Sequence, residues 1–145
     1  MNTDGSLVGA NGLAGCGGVI RDSNGCWIEG FAMSINTTSS IAAQLWALRE
    51  GLHLCVDAHI QAVEIELDAS AAISLVVSNI NSNVDLFGFI DHCRDLLLQL
   101  SQVKMFHCFK EANCCADALA RLGSSQDNVS LHFVSPLLCC TPCVC

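Results

Sequence analysis

Basic residues are scarce in this sequence, six lysines and arginines against fourteen aspartates and glutamates, and the formal net charge is −8. That balance excludes a protein that holds nucleic acid mainly by releasing counterions, since each neutralised phosphate needs a lysine or arginine. Any nucleic-acid contact must be local and weak in its electrostatic part. Long apolar runs are also missing: nowhere do about 18 uncharged apolar residues follow one another, so no membrane-spanning helix and no membrane partner is expected. The start, Met1-Asn2-Thr3-Asp4, is neither basic nor apolar and does not read as a secretory signal.

What the chain does have is apolar mass. Hydrophobic residues make up 52% of its 145 positions and charged ones 14%. Such a composition excludes a disordered chain and predicts a single α/β or α+β domain with a full-sized core. Eleven cysteines would suggest a disulfide scaffold in a short secreted protein, but seven are scattered through predicted helices and strands and four sit near the end. With no signal-like start, the expectation is a reduced, intracellular protein, nuclear or cytoplasmic.

Periodicity orders the chain. Residues 2–8 read as a strand, 9–12 as a Gly-containing loop and 16–21 as a second strand. The Asn24-Gly25 pair predicts a type I′ hairpin turn into an antiparallel third strand over 26–35. Residues 37–40 offer several N-caps for a helix whose Ile41, Leu45, Leu48, Leu52 and Val56 recur at helical spacing, with Gln44 on the border of that stripe. In residues 62–68, Val63, Ile65 and Leu67 share one face while Glu64, Glu66 and Asp68 share the other. Flanking helices make this a buried, parallel-type strand, and in open α/β sheets ligands sit beyond the carboxyl ends of such strands, where Asp68 stands. Ser70 or Asp68 is expected to cap a second helix. A loop over 78–85 then leads to a third helix carrying Leu86, Phe89, Ile90, Cys93, Leu97 and Leu100. A strand over 103–109 precedes a last helix, capped by Asn113 and stopped at Gly123. Residues 1–123 are read as the domain and 124–145 as a cysteine-rich tail of little structure. Its Cys140-Thr141-Pro142-Cys143 lacks the second ligand pair of a zinc site and the strand-to-helix context of a redox motif.

Three carboxylates fall at telling places: Asp4 in the first strand, Asp68 at the end of the fourth, and Asp117 about one turn into the last helix. Converging carboxylates repel unless a cation neutralises them, which points to a divalent metal. The other reading is that each faces solvent or caps a helix.

The segments Asn2-Thr3-Asp4-Gly5-Ser6, 14–22, Ala43-Gln44-Leu45-Trp46-Ala47-Leu48, Glu64-Ile65-Glu66-Leu67-Asp68 and 110–120 occur together in one order. In these the chain, over residues 2 to about 123, resembles the ribonuclease H type 1 family, in particular the plant domain of reverse-transcriptase-like, retroelement-derived proteins. The resemblance implies an α/β fold with a five-stranded mixed sheet, three antiparallel strands followed by two parallel to the first, flanked by helices. It implies a hydrolase that cuts the RNA strand of RNA–DNA hybrids with two Mg²⁺ or Mn²⁺ ions, which stabilise the attacking and leaving oxygens of an in-line displacement. By position Asp4, Asp68 and Asp117 are the metal ligands: Asp4 would bridge both ions, Asp117 would serve the ion beside the attacking water, and Asp68 the ion beside the leaving group.

One catalytic position departs from the family pattern: Gln44 stands where the motif has glutamate. An amide keeps one carbonyl oxygen but loses the charge and the second equivalent oxygen. Glu50 does not substitute, because six residues on is about 240° around a helix. Impaired cleavage is therefore expected. His107, ten residues before Asp117, matches an auxiliary histidine of some members, yet its alternation with Val103 and Met105 reads as packing beside the core. The short lead before Asp4 predicts a first strand that frays. Two functions of different class remain, a metal-dependent endonuclease of hybrids and a catalytically silent nucleic-acid-binding or interaction module.

Overall fold

The computed structural model describes residues 1–8, 13–78, 84–127 and 129–138. Within them the order is β1 (Asn2–Val8), β2 (Leu13–Arg21), β3 (Trp27–Asn36), α1 (Ser40–Asp57), β4 (Ala62–Leu67), α2 (Ser70–Val77), α3 (Phe87–Leu98), β5 (Gln102–His107), α4 (Cys114–Ser124) and β6 (Ser130–Phe133). Short 3-10 turns, Val84–Leu86 and Lys110–Asn113, lead into α3 and α4. One mixed sheet runs β5-β4-β1-β2-β3-β6. β1 is antiparallel to β2 and parallel to β4, and β5 is parallel to β4. The α/β class and the first five strands are as the sequence predicts. The sixth, β6, lies in the stretch expected to be tail and pairs antiparallel with Gly30–Met33 of β3, where Trp27 Nε1 also donates to the Phe133 carbonyl at 3.0 Å.

The apolar stripe of α1 does what its spacing requires. Leu45, Leu48 and Leu52 pack with Ile65 and Leu67 of β4 and with Ile90, Cys93 and Leu96 of α3, all of them buried. On the opposite face α4 lies against β2 so closely that a Cβ on Gly17 would stand 2.4 Å from the Ala120 nitrogen. Burial pushes the thiols of Cys55 and Cys93 up to about 11 and about 12, and that of Cys16 upward as well, so these cysteines behave as small apolar core residues. Among the described residues Cys16, Cys26, Cys55, Cys93 and Cys108 are free thiols, whereas Cys114 is disulfide-bonded. The tail cysteines 139, 140, 143 and 145 lie outside the described residues. No helix among the described residues is long and apolar enough to cross a membrane.

Four local expectations are corrected. The β2–β3 connection is not type I′, because only Gly25 has a positive φ, at 83°. Gly25 N–H closes on the Asp22 carbonyl at 3.0 Å, and Asp22 Oδ1 accepts from the Asn24 and Cys26 amides, so the aspartate organises a longer turn with one left-handed residue. Ser39 caps α1 through its hydroxyl, but α2 has Ala69 at its N-cap and no side-chain cap. Gly123 is not a helix stop: it lies inside α4, where a Cβ would stand 2.4 Å from the Met33 carbonyl oxygen. β1 does not fray at its start, since Met1 bonds β4 from both its nitrogen and its carbonyl.

Candidate active site

β1 delivers Asp4 to the middle of the sheet, and parallel pairing of Thr3 with Leu67 brings the end of β4, and so Asp68, alongside. Gln44 enters from the second turn of α1. Its Nε2 donates to Asp4 Oδ1 at 2.7 Å and lies 3.3 Å from Asp68 Oδ1 and 3.4 Å from the Gly5 carbonyl oxygen. The amide therefore spans the two carboxylates that repel each other. Its own carbonyl oxygen, Oε1, is buried without a hydrogen-bond partner among the described residues. Turning the amide over would aim that oxygen at two carboxylates and leave its N–H donors in the partnerless spot, which is worse without a cation between the carboxylates.

Asp4 is 3% exposed and its carboxyl is pushed up to about 6, first by burial and further by the charges of Asp68 and Asp117; the Gln44 amide and the Gly5 N–H, at 2.8 Å, act the other way. The three predicted aspartates thus share one electrostatic neighbourhood. They do not share one geometry. Asp117 is turned to two cations, Arg121 Nη2 at 2.9 Å and Lys110 Nζ at 3.5 Å. Among the described residues no group of three His, Cys, Asp or Glu side chains is arranged to hold a metal ion. The donor chemistry at Asp4, Asp68 and Asp117 is oxygen, as Mg²⁺ requires. But an N–H donor stands between the first two and cations engage the third, so the arrangement does not fit the implied pair of ions.

His107 closes β5 as an exposed side chain, not as the core imidazole that alternation suggests. Its Nε2 lies 3.1 Å from the backbone oxygen of Asp68 and its ring stands edge-on to Phe109. It reaches the rim of the site at the main chain.

Asn113 is the residue whose role the sequence hides. It makes no side-chain cap, and it is 1% exposed. Its Nδ2 donates to the Thr3 carbonyl at 3.0 Å, and its Oδ1 accepts from Asn2 Nδ2 at 3.3 Å. It thereby ties the start of α4, and with it Asp117, to the strand that carries Asp4. The signal in the sequence is an asparagine four residues before Asp117, which helix-start rules read as a cap.

The reverse transcriptase-like family model matches residues 2–123. A curated Arabidopsis thaliana protein named "Putative ribonuclease H protein At1g65750" is 34% identical over 135 residues, 93% of this chain; the chain spans 21% of that protein's length. Solved structures with the same fold include ribonuclease H1 of the archaeon Halobacterium salinarum, with a TM-score of 0.79 at 23% identity over 86% of this chain and 95% of that one. The N-terminal ribonuclease H domain of a Mycobacterium tuberculosis protein also has a TM-score of 0.79, at 19% identity over 85% and 90%. LC11 ribonuclease H1, solved in complex with an RNA/DNA hybrid, has a TM-score of 0.75 at 21% identity over 86% and 94%. With the family match spanning five strands, both aspartate-bearing ends of the site and the helix that holds Asp117, the chain belongs to the reverse transcriptase-like family and is a ribonuclease H-like domain.

Proposed function

We propose that this domain binds nucleic acid of the RNA–DNA hybrid type and that its hydrolysis of the RNA strand, a Mg²⁺- or Mn²⁺-dependent reaction by resemblance, is impaired by Gln44. The observation that carries the reading is the Gln44 amide between Asp4 and Asp68, 2.7 and 3.3 Å from their oxygens. A hydrogen bond to a charged group contributes roughly 1.5–3 kcal/mol. The amide therefore supplies part of what a cation would supply to the two carboxylates, without the cation's ability to polarise a phosphate. Binding is weak in this reading, for six basic residues serve the whole chain and two of them, Lys110 and Arg121, are engaged with Asp117.

A second reading, an active hybrid endonuclease, is favoured by one observation: Asp68 and Asp117 both raise the pKa of Asp4, so the three carboxylates feel one another's charge. Cleavage of a labelled RNA–DNA hybrid with Mg²⁺ or Mn²⁺ separates the two. The impaired reading expects little or no cleavage by the parent and a gain of roughly 10–100-fold in Gln44→Glu, the scale on which metal-site residues act. Cleavage by the parent that Asp4→Asn abolishes would overturn it. Hybrid binding, measured alongside, is expected to survive Asp4→Asn.

A further inference from the structure

Alternation along β6 puts Ser130 and His132 on one face of that short strand. They stand opposite Met33 and Phe31 of β3, so theirs is the face that carries Glu29, Phe31 and Met33 and that α1 overlies. Glu29 is the diagonal neighbour of His132 across the pair. The three side chains form a chain of contacts: Glu29 Oε1 lies 3.4 Å from His132 Nδ1, and Ser130 Oγ lies 3.5 Å from His132 Nε2. With the ring proton on Nδ1, towards the carboxylate, Nε2 is left as an acceptor for the serine hydroxyl. Carboxylate, imidazole and hydroxyl in that order are the parts of an activated serine, with a base beside the nucleophile and a third group orienting the base. Both distances are long for formed hydrogen bonds, as such contacts often are before a substrate closes on them.

Two further features adjoin the chain. The first is a backbone donor. Ser34 N–H donates to the Val129 carbonyl at 3.0 Å, which sets the phase of the β3–β6 ladder: the main-chain groups of Leu131 and Phe133 face β3, and those of Ser130 and His132 turn outwards. β6 is the margin of the sheet, so the Ser130 N–H lies at an open edge beside its own Oγ, placed to meet an oxyanion formed by attack at that oxygen. The second is a cavity of about 320 Å³ between β6 and α1 that both Ser130 and His132 line. Phe31, Met33 and Leu54 give it apolar surface, and its charged lining is two carboxylates, Glu50 and Asp57, with no lysine or arginine. Asp57 ends α1, whose last turn holds no basic residue, so the negative end of the helix adds to that field. Such a cavity favours a cation and rejects an anion.

We propose that Ser130, His132 and Glu29 form a second catalytic centre, a serine esterase site for esters whose acyl group is apolar and carries an ammonium, amino-acid esters being the simplest. Ser130 Oγ attacks the ester carbonyl carbon as its proton passes to His132 Nε2, and the carbonyl electron pair moves onto the oxygen facing the Ser130 N–H. When that pair returns, the bond to the alkoxy oxygen breaks and the alcohol leaves with the proton from His132. Water then repeats the sequence on the acyl-serine, releasing the acid and restoring the hydroxyl. Glu29 touches neither substrate nor reacting atoms and acts as a positioning residue for the imidazole.

The test uses the full chain and 4-nitrophenyl esters of leucine whose amine is free, acetylated or succinylated. The parent is expected to prefer the free-amine ester to the succinylated one by roughly tenfold in kcat/KM, with the acetylated ester between them and the preference shrinking in salt. Ser130→Ala and His132→Ala should each lower kcat/KM for the free-amine ester by about 100-fold or more. Glu29→Gln should lower kcat by roughly 10–100-fold with KM unchanged, the behaviour of a group that orients an imidazole. A fluorophosphonate should label the parent at Ser130, losing fluoride as the Oγ–P bond forms, and should leave His132→Ala unlabelled in mass spectrometry. β6 stands three strands from β1, so Ser130→Ala should bind an RNA–DNA hybrid as the parent does. A parent no faster than Ser130→Ala overturns the proposal. So does an unlabelled Ser130 in the parent, a readout that stands even if a variant in this edge strand loses stability. Equal rates on the three esters would overturn the assignment of an ammonium-bearing substrate.

Discussion

Asp4 and Asp117 sit in the same electrostatic neighbourhood, yet the chain compensates them in opposite ways. Asp4, 3% exposed, has uncharged partners: an amide from α1 and a backbone N–H. Asp117, with a side chain 17% exposed, has two cations, both on side chains 64% exposed. A buried carboxylate met only by neutral donors resists ionisation, whereas a rim carboxylate can borrow charge from flexible lysine and arginine side chains at little desolvation cost. The difference gives the site two separate departures from a metal centre, the Gln44 amide in its interior and the Lys110 and Arg121 cations at its rim.

The sharpest way to break that contrast is Gln44→Glu. Without divalent ions it sets a third carboxylate against Asp4 and Asp68 and removes their shared donor, so the expected loss is about 3–5 kcal/mol in urea unfolding, the scale of an uncompensated buried charge. Adding Mg²⁺ should recover much of that loss in the variant and little in the parent; equal responses would show that the amide is not what keeps ions out.

The second effect is on pH. Asp4 ionises near 6 in the folded chain against 3.8 as its ordinary value, so between about pH 4 and 6 the folded state holds a proton that the unfolded state has released. Stability therefore falls as pH rises through that window, and the penalty persists above it. The full change is roughly 2–3 kcal/mol, because each pH unit between the two values contributes about 1.36 kcal/mol. Thermal melts from pH 4 to about 7 check this, and Asp4→Asn should flatten the profile in that window. An unchanged slope in Asp4→Asn would assign the pH dependence to another group.

The smallest effect is at the rim. Arg121→Ala should cost only about 0.5 kcal/mol, because an exposed pair is screened by water and salt. A loss several times larger would mean that Asp117 is held as tightly as Asp4, and the contrast between the two would fail.

Much of this was legible in the sequence. Strand alternation at Val63, Ile65 and Leu67 and the α1 stripe are one-dimensional patterns with direct physical causes, and they recovered five strands and the helices. The aspartates stood out because one lies in the first strand, one follows the end of the fourth and one sits about a turn into the last helix. What stayed hidden depends on partners distant in sequence. Asn113 looks like a cap until Thr3, 110 positions away, is seen to accept its hydrogen bond. Gly123 looks like a terminator until Met33 is seen pressed against it. Gln44 was flagged as a lost charge, but its role as a donor to two carboxylates follows only from where α1 crosses β1. β6 was missed because four residues with two exposed side chains carry too little alternation to register.

That short strand has a consequence for how molecules of this protein avoid one another. β3 is ten residues long, and β6 covers Gly30–Met33 along its outer edge, leaving a four-residue strand as the margin of the sheet. Short edges are poor templates for intermolecular pairing. A chain cut after residue 123 would keep every aspartate of the site and yet bare the long edge beside Phe31 and Ala32, so it should self-associate in sedimentation or light scattering where the full chain does not. The segment that looks most like a dispensable tail is, in colloidal terms, a guard against sheet-to-sheet aggregation.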